Sequence, residues 1–299
     1  MLKRLLKKLL PPPLKILYKR YKRRLQKTKK MSLLEFGVDL VDHCNLGCKH
    51  CDHFSPIASE YFSDISVLEK DFQRLSELTN GKIGECKFLG GEPLLHPDII
   101  GAITVFRKYF PSSAAQNNFP FNQAFVITNG LLLLKMPEEF WKCCRENQIT
   151  IKMTKYPINL NFDAIEKKCL NEQVPFTYYG RTKSALKTLH FLPLDLTGKQ
   201  NHKSNFYMCR NSNSACTALK DGKFYPCHII PNIHHFNKYF STNLEIEERD
   251  YIDIYETSDV ENILSFLTKP KPFCRYCMTS GKKTKVPWGL SKREISEWA

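Results

Sequence analysis

The chain reads as an α/β protein built on a parallel sheet, with a smaller cysteine-bearing unit after it and a basic arm before it. From about residue 33, short apolar strand signals alternate with amphipathic helix signals, and Asn-Gly, Gly-Gly and proline breaks punctuate them. Repeated strand-helix units imply parallel strands joined by right-handed crossovers. With 299 residues and 42% hydrophobic content, there is material for one large domain and a small one. We divide the sequence into an arm over 1–32, a main domain over 33–200 and a second domain over 201–299.

The elements follow in order. Residues 36–42 form a short apolar strand that runs into a cysteine-rich loop. Residues 64–79 read as a helix with Ile65, Leu68, Phe72, Leu75 and Leu78 inward, closed by Asn80-Gly81. A strand over 86–89 and a helix over 97–109, with Ile99, Ile100, Ile103, Val105 and Phe106 apolar, come next. Strands over 124–128, 149–155 and 176–179 alternate with helices over 137–147 and 162–171, and residues 112–123 are the least structured insertion.

Three cysteines carry the chemistry. Cys44, Cys48 and Cys51 have C-x3-C-x2-C spacing on one loop at the end of a strand. Three thiolates hold three irons of a [4Fe-4S] cube and leave the fourth iron without a protein ligand. A zinc knuckle is the bland alternative; His43, His50 and His53 lie close by, but zinc wants a closed set of four and the spacing is unusual for it. Downstream, the second strand ends in Gly90-Gly91-Glu92-Pro93. Glycines there let backbone carbonyls approach a ligand, and a carboxylate can pair with an ammonium group.

The cysteine loop, with the aromatic His50 just before the third cysteine and the Gly-Gly-Glu-Pro element about 40 residues on, resembles the signature of the radical S-adenosylmethionine (radical SAM) superfamily. The resemblance implies an open, partial (β/α)6 TIM-like barrel with its site at the C-terminal strand ends. It implies a cluster whose open iron binds SAM and cleaves it to a 5'-deoxyadenosyl radical for hydrogen abstraction, fed by a donor such as flavodoxin or ferredoxin. It puts His50, Gly90, Gly91, Glu92 and Pro93 around SAM, with Asn129 after the third strand and Thr154 at the end of the fourth at its carboxylate or ribose. Read plainly, Asn129-Gly130 is an ordinary turn and Thr154 an ordinary strand residue. Lys155 and Arg181 are further strand-end candidates for substrate, or simply surface charges. No catalytic acid or base is identifiable.

The last third holds a second cysteine group, Cys209, Cys227, Cys274 and Cys277. It resembles the small α+β twitch domain, a shortened SPASM domain, which implies one auxiliary [4Fe-4S] cluster. Cys216 competes with Cys209 for the first position, and a zinc ribbon on the same four cysteines is the structural alternative. Cys86, Cys143, Cys144 and Cys169 fall on strand or helix positions as small buried hydrophobes. We assign His228, His234 and His235 to polar loop positions.

The net charge of +15 is local. Residues 1–30 carry 13 Lys or Arg and no acid, leaving 32 basic against 30 acidic groups in the rest. Leu2, Leu5, Leu6, Leu9 and Leu10 lie opposite Lys3, Arg4, Lys7 and Lys8, the pattern of an amphipathic helix on an anionic membrane surface. The arm has no base-reading motif, so nucleic acid is not the expected partner. With cluster thiolates to protect, we expect a reducing, anaerobic cytoplasm and attachment at the inner face of the membrane.

These features point to a radical SAM oxidoreductase that dehydrogenates a sugar or cyclitol alcohol, as a nucleotide sugar, in surface glycan assembly. The rival is a peptide or protein maturase of the SPASM type. The alternative of another class is a non-catalytic, membrane-tethered zinc or iron-sulfur protein.

Overall fold

A computed structural model describes residues 34–112, 121–179, 188–190, 192–209, 216–279 and 285–299. The basic arm and Arg181 lie outside the described residues. Five strands, β1 (Glu35–Val41), β2 (Glu85–Gly90), β3 (Gln123–Thr128), β4 (Ile149–Met153) and β5 (Phe176–Tyr178), pair in sequence order, all parallel. Between them run α1 (Ile65–Thr79), α2 (Ile99–Tyr109), α3 (Glu138–Glu146) and α4 (Phe162–Asn171).

Each crossover begins where the sequence supplies a cap. The carboxylate of Asp64 accepts from Ser66 N at 2.7 Å to start α1, and Asn80 ends it in the left-handed conformation at φ 51°. Asp98 and Asn161 start α2 and α4 in the same way. Helix α1 buries Leu68, Phe72, Leu75 and Leu78, one stripe at three- and four-residue spacing, while Ile65 is only partly covered. Phe72 and Phe88 meet the Phe106 ring edge-on at 5.4 and 5.6 Å. Each fully buried phenylalanine contributes about 2–3 kcal/mol of transfer free energy to this core.

The sixth parallel strand takes a place that the strand-helix alternation does not specify. It is β7 (Ala218–Lys220), and it lies beside β1 rather than after β5. The exposed edge of β1 is satisfied there, with Gly37 N donating to Thr217 O at 2.8 Å. Strands β8 (Lys223–Tyr225) and β9 (Ile252–Asp253) continue the sheet antiparallel, giving the order β5-β4-β3-β2-β1-β7-β8-β9. The chain after β5 instead forms β6 (Thr188–His190), which pairs with β10 (Lys285–Pro287) in a separate two-stranded ribbon.

The C-terminal third adds α5 (His202–Met208), α6 (Ile229–Phe240) and α7 (Val260–Leu267). A second core gathers Ile229, Ile230, Ile233 and Phe236 of α6, Phe273, Tyr276 and Trp298 around Phe54 and Ile57, which follow the cysteine loop. Phe224, Ile254 and three residues of α7 pack into the first core. His234 and His235 are helical, not loop, because Pro231 sits in the first turn of α6, where a missing N–H costs nothing. No described helix is long and apolar enough to cross a membrane.

Candidate functional site

Strand β1 is buried along nearly its whole length and delivers Cys44, Cys48 and Cys51 to the C-terminal edge of the parallel sheet. Strand β2 ends against the same place. Gly91 N donates to Val41 O at 2.6 Å and Glu92 N to His43 O at 3.2 Å. A Cβ on Gly90 or Gly91 would run into the backbone oxygens of Val41 and His43 respectively, and Gly90 also has φ 122°. The two glycines therefore let β2 press on the start of the cysteine loop, a packing need distinct from the carbonyl-to-ligand approach expected of them.

Glu92 is similarly engaged. Its carboxylate is buried and accepts from Thr128 Oγ1 at 2.6 Å, Asn129 N at 2.8 Å and Leu94 N at 3.2 Å, which ties the end of β2 to the end of β3 and opens the single turn Pro93–Leu95. Burial pushes its acid constant up to about 7, against the pull of those three donors. Asn129 continues the chain of contacts, its Nδ2 donating to Asn45 Oδ1 at 2.7 Å and lying 3.7 Å from Cys44 Sγ. Thr154 N donates to Thr128 O at 2.9 Å, so Thr154 stands half-buried one strand further along the same edge. Lys155 instead lies over the Phe162 and Tyr178 rings, at 4.6 and 5.2 Å.

The other wall comes from residues that sequence reasoning missed. Residues 289–291 pair with the cysteine loop: Lys49 N donates to Gly289 O at 2.8 Å and Ser291 N to Gly47 O at 2.9 Å. Trp288 Nε1 donates to Cys48 Sγ at 3.1 Å, and the Trp288 ring meets Tyr156 edge-on at 5.8 Å. His50 gives its Nδ1 to Glu297 O, while Trp298 Nε1 reaches Cys51 O at 2.9 Å. Burial, with the Cys48, Cys51 and Cys44 sulfurs beside it, pushes the Tyr156 phenol well up. The ring's place just past β4 was the one available signal, since strand ends carry site residues in barrels.

The donor set suits an iron-sulfur group. Burial, together with Glu92 and the other two sulfurs, pushes the Cys44 thiol up to about 12. Cys51 is partly buried, which opposes its charge, yet contact with His53 brings it below its ordinary value. Three sulfurs crowded on one loop repel as thiolates, and a cation between them is what removes that cost. The N–H groups of Leu46, 3.4 Å from Cys44 Sγ, and of Trp288 face sulfur, which favours the charged form.

The second cysteine group also converges. Cys209, Cys227, Cys274 and Cys277 line one cavity with Ile229, Ile230 and Phe273, and Cys216 is not among the lining residues. Asn205 of α5 organises three of them: its backbone oxygen accepts from Cys209 N at 2.8 Å, and its side chain donates to the oxygens of Cys274, at 2.9 Å, and of Cys277. Burial and the neighbouring sulfurs push Cys227 and Cys277 well above the usual thiol range. Cys86, Cys143, Cys144 and Cys169 are all buried in the first core, as expected.

No family model matches the chain. The GTP 3',8-cyclase of Trichodesmium erythraeum (strain IMS101) is 24% identical over 136 residues, which is 45% of this chain and 36% of that protein, so the chain spans about a third of that relative. This similarity supports the resemblance to the radical SAM superfamily that the Cys44–Cys51 loop and the Gly90–Pro93 strand end beside it carry. Among solved structures, BtrN in complex with AdoMet and 2-DOIA is 15% identical, covering 86% of this chain and 97% of that one at a TM-score of 0.48. AdoMet-bound anSMEcpe is 22% identical, covering 48% and 42% at a TM-score of 0.36.

Proposed function

We propose that Cys44, Cys48 and Cys51 hold a [4Fe-4S] cluster that binds S-adenosylmethionine, and that Cys209, Cys227, Cys274 and Cys277 hold an auxiliary one. The observation that carries the first half is the meeting of the three sulfurs with the ends of β2 and β3 at one edge of a parallel sheet. When bound, the two groups would supply an electron to cleave SAM, a radical to take hydrogen from a substrate carbon, and an acceptor for the electron left there. The residues of this chain do the holding. Gly90 and Gly91 seat the cysteine loop, Glu92 fixes Asn129 beside Cys44, and the 288–298 segment closes over Cys48 and Cys51. His50, Pro93 and Thr154 complete the proposed SAM surroundings.

The substrate we propose is an alcohol on a sugar or cyclitol, presented as a nucleotide sugar, and oxidised to the carbonyl by loss of two electrons and two protons. A low-potential flavodoxin or ferredoxin is the proposed donor, and residues 1–30 are the proposed contact with an anionic cytoplasmic membrane face. The carrying observation for a dehydrogenase is the four-cysteine cavity, since four thiolates ligate every iron of a cube and leave it to carry electrons. Incubating anaerobically reconstituted enzyme with SAM, reductant and nucleotide sugars tests it. SAM consumed in step with a carbonyl product is the expected result; SAM cleavage that no sugar accelerates rejects the substrate class.

A further inference from the structure

Beneath the cysteine loop lies a second cluster of donors that the proposed chemistry does not use. Asp39 sits inside β1 with 3% of its surface exposed, and a buried carboxylate is costly unless paired. Its Oδ2 accepts from Asn232 Nδ2 at 2.7 Å. Its Oδ1 stands 2.9 Å from His228 Nδ1 and 3.4 Å from His53 Nε2. These last three atoms are buried and stand at ion-pair distance, but none of them makes a well-angled hydrogen bond. They lie within 4.8 Å of one another.

We propose that Asp39, His53 and His228 bind one zinc ion. Donors about 2.0–2.1 Å from a tetrahedral zinc stand roughly 3.3 Å apart, close to the two separations seen from Asp39 Oδ1. Two imidazoles and a carboxylate suit zinc, whereas the thiolate sets nearby suit iron-sulfur groups. The site is built from behind. Asn232 Nδ2 also donates to His228 O at 2.9 Å, so one amide orients both a carboxylate ligand and the chain carrying an imidazole ligand. Gly37 admits the ring, since a Cβ there would stand 2.8 Å from His228 Cε1 and Nε2.

A similar trio, Asp42, His234 and His235, shows the contrast. The Lys220 ammonium already neutralises Asp42, at 2.8 and 3.0 Å from its two oxygens, so no ion is needed there. Among the described residues, the ion pairs of Asp39 are with imidazoles alone. His53 follows Cys51 by two residues and His228 follows Cys227 by one, so the ion would clip both cysteine-bearing loops to β1. The clip does not depend on what the cysteines hold.

The test is zinc-edge X-ray absorption on the full chain, reconstituted anaerobically with iron and sulfide so that the thiolates are occupied, then supplied with zinc and passed over a chelator. One zinc per chain with only nitrogen and oxygen neighbours is expected. D39N and H228Q should each retain at least tenfold less zinc at unchanged iron content, and N232L should weaken zinc about 10–100-fold in chelator competition. No retained zinc overturns the proposal and leaves a protonated His53 on Asp39 as the arrangement. Sulfur in the zinc shell, or full zinc in both ligand variants, overturns it too. Should a variant fail to fold, the first shell of the unaltered chain still decides.

Discussion

The sulfur of Cys48 accepts a hydrogen bond from an indole 240 residues away in sequence, and that bond makes a residue-scale prediction. An N–H aimed at a cluster sulfur favours the more negative, reduced state and raises the potential. W288F should therefore lower the reduction potential of the first cluster in an electron-paramagnetic-resonance redox titration, with iron content unchanged; an unmoved potential would show that the bond does not reach the cluster. Glu92 makes a prediction in pH. Its folded acid constant of about 7 lies above the ordinary value of 4.5, so the folded state holds a proton that the unfolded state loses between those values. Its contribution is complete below about pH 4.5 and is lost as pH rises to 7, about 3 kcal/mol in all. Urea midpoints of the apo chain should fall across that window and flatten in E92Q. The cysteine spacing was legible because all three cysteines lie within eight residues. Trp288 was not, because nothing local marks a partner brought in by tertiary folding.

At the scale of elements, the 288–298 segment is a strap whose anchor is Trp298, 4% exposed and packed between Phe54 and Phe240. W298A should cost about 3–5 kcal/mol in chemical denaturation. It should also speed alkylation of Cys51 in the apo chain more than that of Cys143, which lies in the other core; equal acceleration of both would mean general loosening instead. Helix α5 has a comparable part in the second group. N205A removes the amide that holds the oxygens of Cys274 and Cys277, so it should lower auxiliary iron while sparing the first cluster, read as about four irons lost of about eight. The helices and strands described between residues 34 and 179 were legible from caps and apolar spacing, with boundaries within a few residues. Helix α6 was not, because Pro231 and two adjacent histidines look like a loop until the proline is seen in the first turn and His235 is seen buried against Asp42 at 3.0 Å.

At the scale of the whole molecule, β7 fills the open edge of β1, and α7 completes a core begun by α1 and α2. Sequence alternation predicts parallel strands but does not say which edge a late strand takes, so the neighbour of β1 could not be read. The chain from 201 onward supplies parts of both cores, and the two should unfold together. Heating the apo chain should give one calorimetric transition whose van't Hoff and calorimetric enthalpies agree.

The central claim is that Cys44, Cys48 and Cys51 carry a cluster that acts on SAM. The most direct measurement is iron content and low-temperature electron paramagnetic resonance of the anaerobically reconstituted, reduced chain, before and after adding SAM. About eight irons and a signal that SAM reshapes are expected, with the SAM response abolished in C48S while about four irons remain. A colourless chain whose cysteines hold only zinc, or a cluster signal indifferent to SAM, would contradict it.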